Sequence, residues 1–308
     1  MHGFGSHTFS MINNDHERVW VKFHFKSKQG IKNFTAEDAQ KMSGENPDFA
    51  QEDLVNAIEN NEFPKWTLFI QVMTEEQAQE FRWNPFDVTK VWFQDEFPLL
   101  EVGEMELNEI PDNFFAHVEQ ATFSPSNLIS GISFSPDKML QGRLFSYPDA
   151  HRYRVGVNSH LLEVNRCPFS VNNYKRDGAM ANSSNYKDAP NYYPNSFDEI
   201  KADSDYKFLE YDLDSTRVAH FNRNENDDDH YTQPGLLYTK AMNQEDRAHL
   251  IKNIVDSMND ISGPKREEII NRQLCHFFRA NIELGMKIAI GLQVNIDANM
   301  MTHTKSHE

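Results

Sequence analysis

Val19, Val21, Phe23 and Phe25 alternate with Trp20, Lys22, His24 and Lys26. A two-residue period of this kind predicts a β-strand with one face turned to a core. Residues 65–73, 87–93 and 99–107 repeat the type, so four antiparallel strands are expected. Between the first two, Thr35-Ala-Glu-Asp38 sets a hydroxyl three residues ahead of a carboxylate, the pattern of a capping box, and helical spacing returns over 49–60. Residues 108–137, rich in Asn, Pro and Ser, read as a long connection into a helix that carries Tyr147. Beyond Asp229 the spacing is helical over 243–259 and again from 264 to about 290, and no internal repeat is visible.

Composition narrows the class without naming a chemistry. The 308 residues are 39% hydrophobic and include 23 Phe, enough to bury a core in one or two domains. A formal charge of −17 argues against nucleic acid or an anionic membrane surface, since either demands clustered Lys and Arg; a small neutral substrate is compatible with it. Cys167 and Cys275 are expected to be reduced, partly buried thiols of an intracellular protein rather than a disulfide framework. Lys22, His24, Lys26 and Lys28 interrupt the N-terminal apolar positions, unlike a signal peptide. No apolar run approaches the roughly eighteen residues a membrane helix needs, and 286–292 contains Lys287.

The sharpest chemical signal is Arg143 four residues before Tyr147, a spacing that puts both on one helix face and lets the guanidinium reach the phenolic oxygen. A tyrosine placed so is a candidate anionic metal ligand. An ordinary tyrosine, with a pKa near 10, is ionised about once in a thousand at pH 7, so holding a phenolate takes roughly 4 kcal/mol from a cation and a metal. Arginine, which keeps its proton, suits that task. An amphipathic helix with a surface Arg–Tyr pair is the plain alternative for these two residues alone.

The flanking residues extend the signal. Arg143-Leu-Phe-Ser-Tyr147-Pro-Asp-Ala-His151 resembles the proximal haem-ligand signature of the monofunctional haem catalases, in which a Tyr holds the iron. Gly3-Phe-Gly-Ser-His-Thr-Phe9, Gln29-Gly-Ile-Lys-Asn33, Asn84-Pro-Phe-Asp-Val-Thr-Lys-Val-Trp92, Phe123-Ser-Pro-Ser-Asn127 and Ala189-Pro-Asn-Tyr-Tyr-Pro-Asn-Ser-Phe197 resemble further catalase segments, in the family's order. The resemblance runs from Met1 to about Tyr238 and continues more loosely beyond.

That resemblance implies Tyr147 as axial ligand of haem b iron, Arg143 as partner of the phenolate, and His7 and Asp137 behind Arg143 as a relay fixing the guanidinium. It implies Arg154 as a propionate contact, Met139 and Phe123 packed on the porphyrin, and His151 on the same stripe. Lys26 and Trp92 match positions where catalases hold NADPH, although Gln94 departs from the family's usual His, and a strand lysine in solvent is the bland reading. Pro148 should kink the helix locally. Other features are read as inert: His303 and His307 on a polar chain end, Asp227 to Asp229 without the spaced ligands of a calcium loop, the glycosylation sequons at Asn33 and Asn182, and a lone GxG at Gly3.

The fold class implied is α+β: part of an antiparallel β-barrel over 1–110, the haem helix and a wrapping arm over 111–207, and a C-terminal helical, catalase-associated domain over 208–308. Met1 aligns with an internal position of the family, so the segment carrying the distal haem-pocket His and Asn has no counterpart here. The function expected by resemblance is dismutation of hydrogen peroxide in antioxidant defence, with weak haem retention and little turnover in this truncated chain. The alternative is a non-catalytic paralogue that binds haem from the proximal side or joins intact catalase subunits. The family suggests a homotetramer in the peroxisome or cytoplasm; the ending Lys305-Ser-His-Glu308 is no peroxisomal tripeptide.

Overall fold

The computed structural model describes residues 1–168, 178–180, 190–192, 194–197 and 229–296. The wrapping arm expected over 159–207 lies largely outside them, as do Asn182, Asp227, Asp228, His303 and His307. Two compact units divide the chain: one of 1–31 with 51–220, the other of 32–50 with 221–308.

The first unit is built on an antiparallel sheet. Strands β1 (Gly3–Phe4), β2 (Phe9–Ile12), β3 (Arg18–Ser27), β4 (Lys65–Met73), β5 (Leu100–Glu106) and β6 (Ile132–Ser133) are ordered β5-β4-β3-β2-β6, with β1 also paired to β3. This open sheet, half of a barrel, with its helices gives the α+β class that the sequence implied. The long β3–β4 ladder runs from Trp20 opposite Met73 to Ser27 opposite Trp66, and a bulge at Leu68/Phe69 interrupts β4–β5. In chain order α1 (Ala36–Glu45), which belongs to the second unit, and α2 (Phe49–Glu59) fall between β3 and β4. Thr35 caps α1 by accepting from Asp38 N at 3.1 Å.

Alternation placed β3 correctly but did not show that both faces are dry at its centre, where Val21 is buried on one side and Trp20 and Lys22 on the other. Trp20 and Lys22, 2% and 4% exposed, are covered by the segment 81–97, and an aromatic core of Trp20, Met73, Phe86, Trp92 and Phe97 forms there. Residues 87–93, expected as a strand, form no strand. Short polar side chains hold that backbone in turns instead: Asn84 Oδ1 accepts from Phe86 N at 3.0 Å and Asp87 Oδ1 from Thr89 N at 2.8 Å. After β4 come α3 (Glu75–Glu80), opened by a capping box at Thr74, and later α4 (Lys138–Arg154), which runs unbroken through Pro148. Cys167 is exposed rather than partly buried.

In the second unit α5 (Thr232–Leu236), α6 (Gln244–Asn259), α7 (Arg266–Ala280) and α8 (Ile282–Leu292) pack around Tyr238, Ile270, Leu274 and Ile288. The single helix expected from 264 to about 290 is two. Asn281 is extended (φ −162°, ψ 131°) and its side chain accepts from Leu284 N at 3.0 Å, so it ends α7 and caps α8. Asp229, at the edge of the acidic run, accepts from the backbone of Tyr231 and Thr232 through Oδ1. No helix among the described residues is long and apolar enough to cross a membrane.

Candidate functional site

The site grows from the N-terminus of α4. Asp137 is the N-cap; its Oδ1 accepts from Met139 N at 2.9 Å and Leu140 N at 3.0 Å. Its other oxygen, Oδ2, meets His7 Nδ1 at 2.7 Å, and both groups are buried. His7 Nε2 lies 2.6 Å from Arg143 Nη1, and Arg143 Nη2 donates to Tyr147 Oη at 2.7 Å. One guanidinium therefore bridges an imidazole and a phenol.

The proton positions follow from who can donate. A guanidinium only donates, so His7 Nε2 must accept and carry no hydrogen; the imidazole is then neutral, with Nδ1–H turned to the Asp137 carboxylate. Arg143 spends one N–H on a neutral nitrogen and keeps its full charge for the tyrosine oxygen. The carboxylate at the far end is held by two helix N–H groups and an imidazole, which fixes the chain of contacts from behind.

Buried hydroxyls lock the strand that bears His7 to the helix that bears Asp137. Ser135 Oγ bonds Thr8 O and accepts from Asp137 N at 3.3 Å, while Thr8 Oγ1 donates to Pro85 O at 2.7 Å and Ser10 Oγ to Phe134 O at 3.0 Å. Gln141 Nε2 donates to Ser135 O at 2.9 Å. Sequence reasoning missed these hydroxyls, because single Ser and Thr residues carry no periodic signal.

At the other end of α4 the expected residues meet backbone carbonyls. Arg154 donates to Glu119 O and Ala121 O, both at 2.6 Å, and His151 Nε2 bonds Phe123 O at 2.8 Å. Arg154 Nη2 lies 3.2 Å from His151 Nδ1, which makes Nδ1 the acceptor and Nε2 the N–H. Together they strap the segment 119–123 to the helix and leave Phe123 84% exposed, with Met139 57% exposed two turns before Tyr147. The guanidinium of Arg154 thus answers two carbonyls.

Lys26 and Trp92 are not brought together at the surface. Trp92 is buried in the aromatic core, 3% exposed, whereas Lys26 lies part-exposed with its ammonium 4.6 Å from the centroid of the Phe4 ring. Burial holds the Lys26 ammonium below the usual lysine range. His24, near Lys26 on β3, bonds Gln71 Oε1 at 2.9 Å through Nε2, and Gln71 in turn donates to Trp92 O and Phe97 O.

Comparison with known proteins bears on this geometry. The family model described as Catalase matches residues 1–199, and the model described as Catalase-related immune-responsive matches residues 224–292. A catalase of the Onchocerca volvulus endobacterium is 50% identical over 297 residues, 96% of this chain and 60% of its own. Catalase A of Pseudomonas putida is 50% identical over 298 residues, again 96% of this chain and 60% of its own. A solved bacterial catalase superposes with a TM-score of 0.80 at 37% identity, covering 99% of this chain and 60% of that one. Catalase A from Saccharomyces cerevisiae superposes with a TM-score of 0.78 at 36% identity, covering 95% and 60%. The chain spans about 60% of the length of the relatives it matches.

Proposed function

The chain belongs to the catalase family, and from that premise we propose that it is the proximal, haem-binding part of a catalase whose substrate is hydrogen peroxide. One observation carries the reading: a phenolic oxygen held at 2.7 Å by an arginine that an imidazole and a buried carboxylate fix from behind. A hard, anionic oxygen donor of this kind fits ferric iron. The exposed side chains of Phe123 and Met139 fit a flat apolar macrocycle that would cover them. The residues present therefore suit haem b.

Tyr147 would hold the iron, Arg143 would keep the phenolate bare of its proton, and Arg154 would offer its remaining N–H capacity to a propionate. When bound, haem supplies the redox chemistry that disproportionates peroxide to water and oxygen. Peroxide cleavage also needs a general base within hydrogen-bond reach of the substrate. Neither His7 nor His151 is free for that role, since both nitrogens of each are engaged. The site residues described here thus bind and tune; the base is a separate requirement. A homotetramer is the assembly proposed by family likeness. NADPH is supported less, because only Lys26 of the two expected contacts reaches solvent.

The test is direct. Chain purified from haem-supplemented cells is expected to carry haem, and to evolve oxygen from hydrogen peroxide more slowly, per haem, than Catalase A of Pseudomonas putida assayed beside it. Failure to retain any haem contradicts the proposal. Oxygen evolution equal to that of the full-length enzyme contradicts the need for a base beyond His7 and His151.

A further inference from the structure

We propose that Ser135 is a positioning residue for the candidate iron ligand: its hydroxyl fixes Asp137 against His7, and through His7 it aims Arg143 at Tyr147. The consequence for haem rests on the reading of Tyr147 as ligand; the clamp itself does not.

Thr8, Ser135 and Asp137 are each 1% exposed, so a polar group lost among them is not replaced at once by solvent. Pro136 carries no N–H and biases Ser135 away from helical backbone, so α4 opens on Asp137 as its cap. Across that proline the Ser135 hydroxyl turns forward and accepts from Asp137 N at 3.3 Å. A carbonyl only accepts, so the hydroxyl hydrogen goes to Thr8 O. One oxygen atom thus donates to the residue beside His7 and accepts from the residue whose carboxylate holds His7.

The result is a clamp with two points of attachment. Asp137 Oδ2 meets His7 Nδ1 at 2.7 Å, and the Asp137 backbone reaches Thr8 through Ser135. A single contact is a pivot, whereas two from neighbouring residues fix an orientation. Orientation is what the site needs: His7 Nε2 must stay at 2.6 Å from Arg143 Nη1 while Arg143 Nη2 donates to Tyr147 Oη at 2.7 Å. Gln141, on α4, donates to Ser135 O at 2.9 Å and holds the serine backbone in place. An alanine at 135 would leave Asp137 N and Thr8 O without this partner, and the imidazole–carboxylate contact would have to hold the orientation alone. The Thr8 hydroxyl serves another purpose, since it donates to Pro85 O at 2.7 Å, outside α4.

The experiment uses the whole haem-free chain with 15N-labelled histidine and reads the solvent exchange rate of the His7 Nδ1 proton, its signal identified by its loss in His7→Gln. Thr8→Val is the matched control: it also deletes a buried hydroxyl beside His7, but one whose partner lies outside α4. Both Ser135→Ala and Thr8→Val are expected to lower the urea midpoint. Only Ser135→Ala is expected to speed exchange of the His7 proton, by about tenfold, the worth of one hydrogen bond, and to cut ferric-haem affinity by a similar factor. A folded Ser135→Ala chain that exchanges at the wild-type rate overturns the proposal. Equal acceleration in Thr8→Val overturns it too, because that marks general loosening. Should Ser135→Ala not fold, Ser135→Cys decides: its thiol is a weak donor, so exchange should speed by a smaller factor, and an unchanged rate overturns the proposal. Wild-type chain that binds haem without phenolate modes would sink the ligand reading, and the exchange rates would still decide the clamp.

Discussion

Asp137→Ala is expected to destabilise the first unit by about 2–5 kcal/mol, a lost helix cap together with a buried donor left unpaired. Three donors converge on this carboxylate: Met139 N, Leu140 N and His7 Nδ1. Losing the cap alone costs about 1–2 kcal/mol. Leaving the His7 N–H buried and unpaired adds roughly 1–3 kcal/mol. Such a loss is a large share of the 5–15 kcal/mol typical of a whole domain. Asp137→Asn separates the two contributions. Its amide oxygen keeps the cap, while its NH2 end opposes the His7 N–H, so a smaller loss is expected. Urea unfolding followed by tryptophan fluorescence reports the unit, since Trp20 and Trp92 lie in its core. A midpoint for Asp137→Ala matching wild type would contradict the placement of this carboxylate under the site.

Arg143 carries the second large effect, on haem affinity rather than stability. Its two terminal nitrogens meet different partners, His7 Nε2 and Tyr147 Oη, and only a planar fork spans both. Arg143→Gln removes the charge that favours the phenolate, and a supporting group of this kind is worth about 10–100-fold in metal affinity. The upper end is expected here, because an uncharged partner leaves most of the roughly 4 kcal/mol needed to ionise a tyrosine at pH 7 unmet. Arg143→Lys should recover only part of the loss: an ammonium restores the charge but cannot bridge both partners. Haem titration by absorbance compares the three proteins. Equal affinity in Arg143→Gln would show that the guanidinium does not support the ligand.

The parts of this molecule that were legible in sequence are those where one local period dominates. β3 and β4 read correctly because long apolar–polar alternation coincides with a long ladder. The Arg143–Tyr147 pair was legible for a similar reason, since a four-residue spacing is a statement about one helix face. His7 and Asp137 lie 130 residues apart, and only family resemblance, not spacing, joined them. Residues 87–93 misled because the β-prone Val88, Val91, Trp92 and Phe93 sit in a segment whose backbone is held by Asn84 and Asp87 side chains. Asn281 was hidden inside an apolar helical pattern, where nothing local shows that its side-chain Oδ1 caps the next helix. Lys22 illustrates the same limit from the other side: alternation assigns a residue to a face, and only the covering segment decides whether that face is wet.

The identity of the iron ligand is tested most directly by titrating ferric haem into wild-type chain and Tyr147→Phe under the same conditions, reading affinity and the resonance Raman modes of a bound phenolate. The phenol oxygen expected to make the bond is the one Arg143 holds at 2.7 Å. Wild type should bind with phenolate modes present, and Tyr147→Phe should lose those modes together with at least about a hundredfold in affinity. Haem bound by Tyr147→Phe with unchanged affinity and the same spectrum would contradict ligation by Tyr147.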